Sequence, residues 1–117
     1  MRIAIPVWEN RVSPLFDSAG HILLADGNKN KIDKQEILNV ESLTLFQRID
    51  LLQKLKVNIF ICGGITRSIL ETINNKNIKT IPFVCGDIKE IILAALKGKD
   101  VGTLFAMPGQ QNRSFKQ

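Results

Sequence analysis

The sequence predicts an α/β fold in which a mixed β-sheet carries helices on both faces. Two short runs, Ile3–Trp8 and Val57–Ile61, are apolar at nearly every position, as is typical of central strands buried on both sides. Elsewhere apolar residues recur at the spacing of helices. After the second run come Cys62 and the pair Gly63-Gly64, and then such a helical pattern. Strand, tight turn and helix therefore succeed one another at this point.

The first third of the chain predicts strands joined by one long loop. Ile3–Trp8 is the first strand, and Pro6 ends it or bulges it because proline cannot donate to a ladder. The loop Glu9–Gly20 is long for a connection, and long loops in compact domains are often functional. His21–Asp26 is the second strand, and Gly27–Asn30 has the residues of a turn.

The third strand, Ile32–Val40, is polar and charged at many positions. This composition predicts an exposed edge guarded by Lys and Glu. The three strands together would form an antiparallel meander. An exposed edge of this kind also allows pairing with a second copy of the chain, so we expect that a homodimer can form.

The rest of the chain alternates helices and strands. Ser42 is expected to cap a helix that runs through Lys56 and leads into the strand Val57–Ile61. A second helix is predicted over Thr66–Asn75. The strand Ile78–Val84 contains Pro82 and is therefore placed at or near the other edge.

The last helix begins at the cap Asp87 and is stopped by Gly98. After it, Val101–Met107 is expected to be a short strand or an extended arm. Residues 108–117 are polar and rich in Gly and Gln, so we expect a flexible tail after a single domain of residues 1–107.

These elements predict the order βββαβαβα and a five-stranded sheet. Connections between parallel strands are right-handed, and the first strand is placed beside Val57–Ile61. The resulting strand order is 3-2-1-4-5 in a three-layer arrangement, and this arrangement is ribonuclease H-like. A fold alone does not assign an activity.

Composition narrows the classes of function. The 117 residues carry a net charge of +5 but include only six Phe, one Trp and no Tyr. Base-stacking platforms are therefore scarce, and nucleic-acid binding is not expected. We expect no membrane span, because no apolar run reaches the roughly 18 residues that one needs. Two cysteines without a secretion signal indicate reduced thiols in the cytoplasm.

The clearest candidate site is the turn after Val57–Ile61. Ligands of open α/β sheets bind at the carboxyl ends of the strands, where Cys62 stands. Gly63 and Gly64 let another group approach the backbone, and the N–H groups of Thr66–Ile69 favour an anion. Cys62 is either a small buried thiol or a thiolate, made acidic by the helix N-terminus, that binds iron.

Two further residues are candidate metal ligands. Cys85 ends the neighbouring strand, so it could share a cluster with Cys62, although it could equally be structural. His21 is the only histidine. It is a ligand if the long loop folds over the site, and otherwise a solvent-facing strand residue.

The long loop offers polar groups to an anion. Arg11 and Ser13 could hold a cluster or a phosphate by charge-assisted hydrogen bonds, or make only local bonds. Asp17 either braces the loop or contacts a ligand. Trp8, at the end of the first strand, is expected to anchor packing.

Catalytic functions are poorly supported. A ribonuclease H-type nuclease needs several metal-binding carboxylates, but the first strand has none, and Cys62 stands where another would be. A Cys–His nucleophile pair would lack a third residue to orient His21. The Gly63-Gly64 turn also lacks the lysine of a P-loop. We therefore expect a binding protein and no enzyme.

Four segments, taken in order, carry a resemblance to a known family: Met1–Pro6, Arg11–Asp17, Ile61–Ile65 and Gly86-Asp87. Over roughly residues 1–107 the chain resembles the dinitrogenase iron-molybdenum cofactor biosynthesis domain. This module occurs in the cofactor carriers NifX and NafY, at the end of NifB, and as small stand-alone proteins.

The resemblance implies a ribonuclease H-like fold and a non-catalytic role in binding or carrying an iron–sulfur or iron-molybdenum-type cluster between donor and acceptor proteins. In the nitrogenase carriers, a His-Phe-Gly stretch of the first loop supplies a cofactor-linked histidine. Here Leu15-Phe16-Asp17 occupies the matching place, so Leu15 replaces that histidine. A stand-alone family member that binds another cluster, or no cluster, is therefore also compatible with the sequence. The alternative hypothesis is a small-anion or nucleotide-binding regulatory module that uses the same pocket without metal.

Overall fold

The computed structural model describes residues 1–109. Within this range the elements are β1 (Arg2–Trp8), β2 (Arg11–Val12), β3 (His21–Gly27), β4 (Ile32–Asn39), α1 (Leu45–Lys54), β5 (Ile59–Ile61), α2 (Arg67–Asn74), β6 (Lys79–Ile81), α3 (Ile88–Leu96) and α4 (Val101–Leu104). From residue 110 onward, the tail predicted over 108–117 lies outside the described residues. Within those residues, none of the helices has the length and apolar character needed to cross a membrane.

One mixed sheet of six strands organises the molecule. Its strands lie in the order β4-β3-β1-β5-β6, and β2 pairs with β1 outside this path. β1 is antiparallel to β3 and parallel to β5, which is in turn parallel to β6. The fold is therefore mixed α/β.

The observed sheet differs from the predicted five-stranded sheet because it contains an additional strand, β2. Glu9 adopts a φ of 56°, which turns the chain sharply so that Arg11 pairs with Trp8 and Val12 with Val7. The usual Asn-Gly signal of such a turn is absent from Glu9-Asn10. Periodicity could not reveal a strand of two residues, and the prediction placed it in the loop.

Two cores lie on the two faces of the sheet. Alternate residues of a strand point to opposite faces, so Ile3 and Ile5 join one core with α3, and Ala4 and Phe60 join the other with α1 and α2. Both faces are thus covered by helices.

Three local expectations are corrected. The cap of α1 is Thr44 instead of Ser42, and the helix ends at Lys54. Val101–Leu104 is a short helix instead of a strand, because the Asp100 side chain accepts a hydrogen bond from Thr103 N at 3.2 Å and caps it. Trp8, which was expected to anchor packing, is 65% exposed, since the core residues of β1 end at Val7.

Candidate functional site

The carboxyl ends of β1, β5 and β6 meet at one edge of the sheet, where the loop after β2 lies on the Gly63-Gly64 turn. Gly64 N donates to Pro14 O at 2.6 Å, and Phe16 N donates to Gly64 O at 3.1 Å. Leu15 pairs with Gly64 as an isolated parallel bridge. The loop thereby continues the sheet pairing beyond the end of β5.

Gly63 is required by this contact, and Gly64 also lies close to the loop. A Cβ on Gly63 would lie 2.5 Å from both Ser13 O and Pro14 O, and a Cβ on Gly64 would lie 2.8 Å from the Leu15 Cδ2. The group that approaches the glycine backbone closely is therefore the loop of the same chain. From the sequence, the approaching group was expected to belong to a ligand.

Two side chains hold the loop against the core. The Phe16 side chain is 1% exposed, and its ring meets Phe60 edge to face at 5.0 Å between centroids. Arg48 of α1 is 6% exposed and donates through Nη1 to Phe16 O at 3.2 Å and to Ala19 O at 2.5 Å. Because both ends of the Phe16–Ala19 turn are bound, the loop is a fixed wall.

Sequence reasoning missed Arg48. Its signal was present, because Arg48 lies three residues after Leu45 and four before Leu52, and so shares the apolar stripe of α1. A charged residue within an apolar stripe needs buried partners. Here the partners are backbone carbonyls of the loop, and these cannot be seen from the sequence.

Beside this wall lies a pocket of about 310 Å³. Its lining combines the loop, the glycine turn and the starts of α1 and α2, namely Leu15, Phe16, Asp17, Leu45, Gly64, Ile65, Thr66 and Ile69. Asp17 is the one charged residue of this lining. The pocket is therefore a largely apolar cleft with one carboxylate.

The N-terminus of α2 forms one side of the pocket. The Thr66 hydroxyl accepts a hydrogen bond from Ile69 N at 3.4 Å and caps the helix. The first intrahelical bond runs from Leu70 N to Thr66 O, so the N–H groups of Arg67 and Ser68 precede it. N–H groups at the start of a helix, together with the helix dipole, favour electron-rich ligands.

Cys62 faces the core and does not line this pocket. Its side chain is 0% exposed and packs in the α1/α2 core. Burial raises the pKa of the thiol from 9.0 to about 12, so the thiolate that binds metals is scarce at neutral pH. The geometry agrees with the interpretation of Cys62 as a small buried thiol.

Cys85 and His21 lie at other places. Cys85 is half-buried and its thiol lies 3.7 Å from Ala106 O, within reach of a weak hydrogen bond. His21 is an exposed strand residue that pairs with Val7 and Asn39. Within residues 1–109, no three or more His, Cys, Asp or Glu side chains form a group that could hold a metal ion. Cys62, Cys85 and His21 therefore do not form such a three-residue group within the described part of the chain.

The predicted anion ligands of the loop are divided between surface and interior. Arg11 is exposed in β2, and its backbone pairs with that of Asp87 as an isolated antiparallel β-bridge. Ser13 is buried, and its hydroxyl donates to Leu15 O at 3.2 Å. The predicted residues that do line the pocket are Asp17, Gly64 and Thr66, while Gly63 supports the loop from behind.

Comparison with known proteins identifies relatives of this arrangement. The family model described as dinitrogenase iron-molybdenum cofactor matches residues 1–98. No curated protein matches the sequence.

Solved structures with the same fold include PH0822, with a TM-score of 0.77 and 24% identity over 85% of this chain and 91% of that one. MJ0327 from Methanocaldococcus jannaschii has a TM-score of 0.69 and 18% identity over 85% and 90% of the two chains. The apo orange protein from Desulfovibrio gigas has a TM-score of 0.66 and 16% identity over 84% and 88%. At these identities the likeness concerns the fold.

Proposed function

The chain belongs to the dinitrogenase iron-molybdenum cofactor family, and we propose that it is a non-catalytic binding or carrier protein for a metal–sulfur cluster. The cluster is its cargo, of the iron–sulfur or iron-molybdenum type. It is received from a donor protein and passed to an acceptor during cofactor biosynthesis in the cytoplasm.

The observation that carries this proposal is the pocket between Leu15–Asp17 and Gly64–Ile69. It lies at the carboxyl end of a central parallel strand, where α/β folds bind ligands. Its wall is fixed by Arg48 and Phe16. A preformed pocket lowers the cost of ordering groups around a guest.

The lining suits a sulfide-rich cargo better than a phosphate. Sulfur is large and polarizable and makes favourable contacts with aromatic rings, and the lining includes Phe16 beside the aliphatic Leu15, Leu45 and Ile69. The lining includes no Lys or Arg to pair with a phosphate. The N-terminus of α2 supplies N–H donors, and hydrogen bonds to cluster sulfur are a usual means of tuning such sites.

We propose that Thr66, Gly64 and Asp17 contact the cargo and that Cys62 acts as a core residue. Cys85 and His21 do not line the pocket, so they would coordinate metal only in a complex with a partner protein. Leu15 lies at the place of the carriers' cofactor-linked histidine. The lining of the pocket therefore offers no histidine to the cargo.

The test is anaerobic reconstitution of the full chain with iron and sulfide, with and without molybdate. The wild type is expected to develop visible charge-transfer bands and to retain metal through gel filtration. Leu15→Trp would narrow the pocket and lower the retained metal several-fold. The matched control is Leu104→Trp, because Leu15 and Leu104 are 52% and 60% exposed and Leu104 is absent from the pocket lining.

Cys62→Ala separates the two interpretations of the thiol. We expect the variant to keep the absorption bands, since Cys62 does not line the pocket. If a folded Cys62→Ala protein lost them, the thiol would have to reach the cluster. A wild type that stays colourless under every loading condition would contradict the carrier function itself.

A further inference from the structure

Strand β4 is an exposed edge of the sheet. Among the described residues it pairs only with β3, and the five consecutive residues Asp33–Ile37 are all exposed. Ile37 is 59% exposed, an unusual exposure for an apolar side chain in the middle of a strand. Edges of this length are templates for pairing with another strand.

The pairing with β3 fixes which backbone groups of β4 point outward. Val40 N donates to Gly20 O at 2.9 Å, beside the register pair His21–Asn39. Hydrogen-bonded and non-hydrogen-bonded pairs alternate along an antiparallel ladder, so Lys34, Glu36 and Leu38 bond toward β3. The N–H and C=O groups of Gln35, Ile37 and Asn39 therefore point away from the sheet.

Two opposite charges of β4 flank one of these outward residues. Lys34 precedes Gln35 and Glu36 follows it. Both charged side chains lie on the α1/α2 face, since Glu36 pairs with Leu24, which belongs to that core. A two-fold axis through Gln35 would bring each Lys34 opposite a Glu36.

We propose that β4 is the docking surface for a second copy of this chain. The two β4 strands pair antiparallel about Gln35, and Lys34 of each copy lies across from Glu36 of the other. Gln35 exchanges both backbone hydrogen bonds with its counterpart. The contact is isologous, as in most homodimers, and opposite charges directly across an antiparallel pair stabilise it.

The charge pattern selects this register against its neighbour. Moving the axis by one residue to Glu36 would place two carboxylates opposite each other, and such like-charge pairs are destabilising. Charged edges usually prevent pairing between strands. Here the same charges are self-complementary in the register about Gln35 and disfavour the register about Glu36.

The dimer is weak and sensitive to salt. Pairing of two edge strands buries far less than the roughly 1,600 Å² of a standard interface, so it forms at high protein concentration. Salt at about 1 M shortens the Debye length to about 3 Å and weakens exposed ion pairs. No residue of β4 lines the pocket of the proposed cargo, so dimerisation and cargo binding can be tested separately.

Sedimentation equilibrium of the full chain at low salt tests the proposal. The wild type is expected to dimerise reversibly, and Lys34→Glu or Glu36→Lys alone should weaken the dimer at least tenfold, because each creates like-charge pairs across the axis. The double variant with both changes should restore the dimer. Lys29→Glu, in the exposed turn before β4, is the control for net charge.

Gln35→Pro provides a second test that does not depend on charge. It removes an outward N–H, which a free edge strand tolerates, so the monomer should keep its circular dichroism while the dimer is lost. The proposal is overturned if the wild type is a monomer at every concentration. It is equally overturned if the charge-reversed double variant stays monomeric while folded.

Discussion

Burial of the Cys62 thiol couples the stability of the fold to alkaline pH. The pKa rises from 9.0 to about 12 in the folded chain. Below pH 9 the thiol is protonated in both states. Between pH 9 and 12 the unfolded chain loses the proton and the folded chain keeps it, so stability falls by up to about 1.4 kcal/mol per pH unit.

We therefore expect the stability difference between the wild type and Cys62→Ala to shrink as the pH rises from 8 to 11. Urea unfolding at several pH values measures it, and alanine is the reference because it cannot ionise. Parallel stability curves of the two proteins would show that the thiol is not buried in solution.

Arg48 is the residue that turns the first loop into a pocket wall. Its guanidinium is buried and bound to the carbonyls of Phe16 and Ala19. Arg48→Met would keep the aliphatic length but leave these carbonyls without their charged donor, at a cost of about 2–3 kcal/mol. We also expect weaker cargo retention, because the wall of the pocket would loosen.

Arg67→Met is the control for Arg48→Met, since it removes an exposed arginine from α2. Urea midpoints at constant m-value give the stabilities. Equal stabilities of the two variants would contradict the role assigned to Arg48.

At the scale of elements, two residues, Ser42 and Thr44, are candidate N-caps of α1. The Thr44 hydroxyl accepts a hydrogen bond from Gln47 N at 3.2 Å, and Thr44 N donates to Gln47 Oε1 at 2.8 Å. This is a complete capping box. Thr44→Ala should therefore lower the free energy of unfolding by about 1 kcal/mol, whereas Ser42→Ala should change it little. If Ser42→Ala were more destabilising than Thr44→Ala in thermal or urea unfolding, Ser42 would be the cap.

The elements that the sequence predicted well are those with a long internal pattern. β1, β3 and the apolar stripes of the helices have periods that follow from which face is buried. The elements that it missed are short and depend on one local contact. β2 needs the turn at Glu9, and α4 needs the Asp100 cap.

At the scale of the whole molecule, the sequence predicted that the glycine turn and the long loop lie at the same end of the sheet, and the structure brings them together there. The glycine turn and the long loop do form one pocket wall. The sequence could not show that the loop itself fills the space above Gly63, or that Cys62 turns into the core. Both facts depend on contacts between residues that are distant along the chain. The ribonuclease H-like assignment stays a prediction.

At the amino end of β1, which is the end of the strand away from the pocket, one ion pair joins several elements without contributing to the pocket. Arg2 binds the Asp26 carboxylate through two nitrogens at 2.8 and 3.1 Å and donates to Leu55 O at 2.8 Å. It thus joins β1, β3 and the end of α1. The hydrogen bond from Arg2 holds the pKa of Asp26 below its usual value of 3.8.

This pair gives the fold an acid dependence that should be independent of cargo binding. The carboxylate of Asp26 stabilises the folded state above pH 3.8, and the contribution is lost as the pH falls through the lowered pKa. Asp26→Asn should therefore flatten the loss of stability below that pH, while Asp33→Asn, whose carboxylate lies 3.9 Å from Lys31 on the surface, serves as the control. Both variants should take up cargo like the wild type, because Asp26 and Asp33 are absent from the pocket lining. Loss of uptake in a folded Asp26→Asn protein would mean that the two ends of the sheet are coupled.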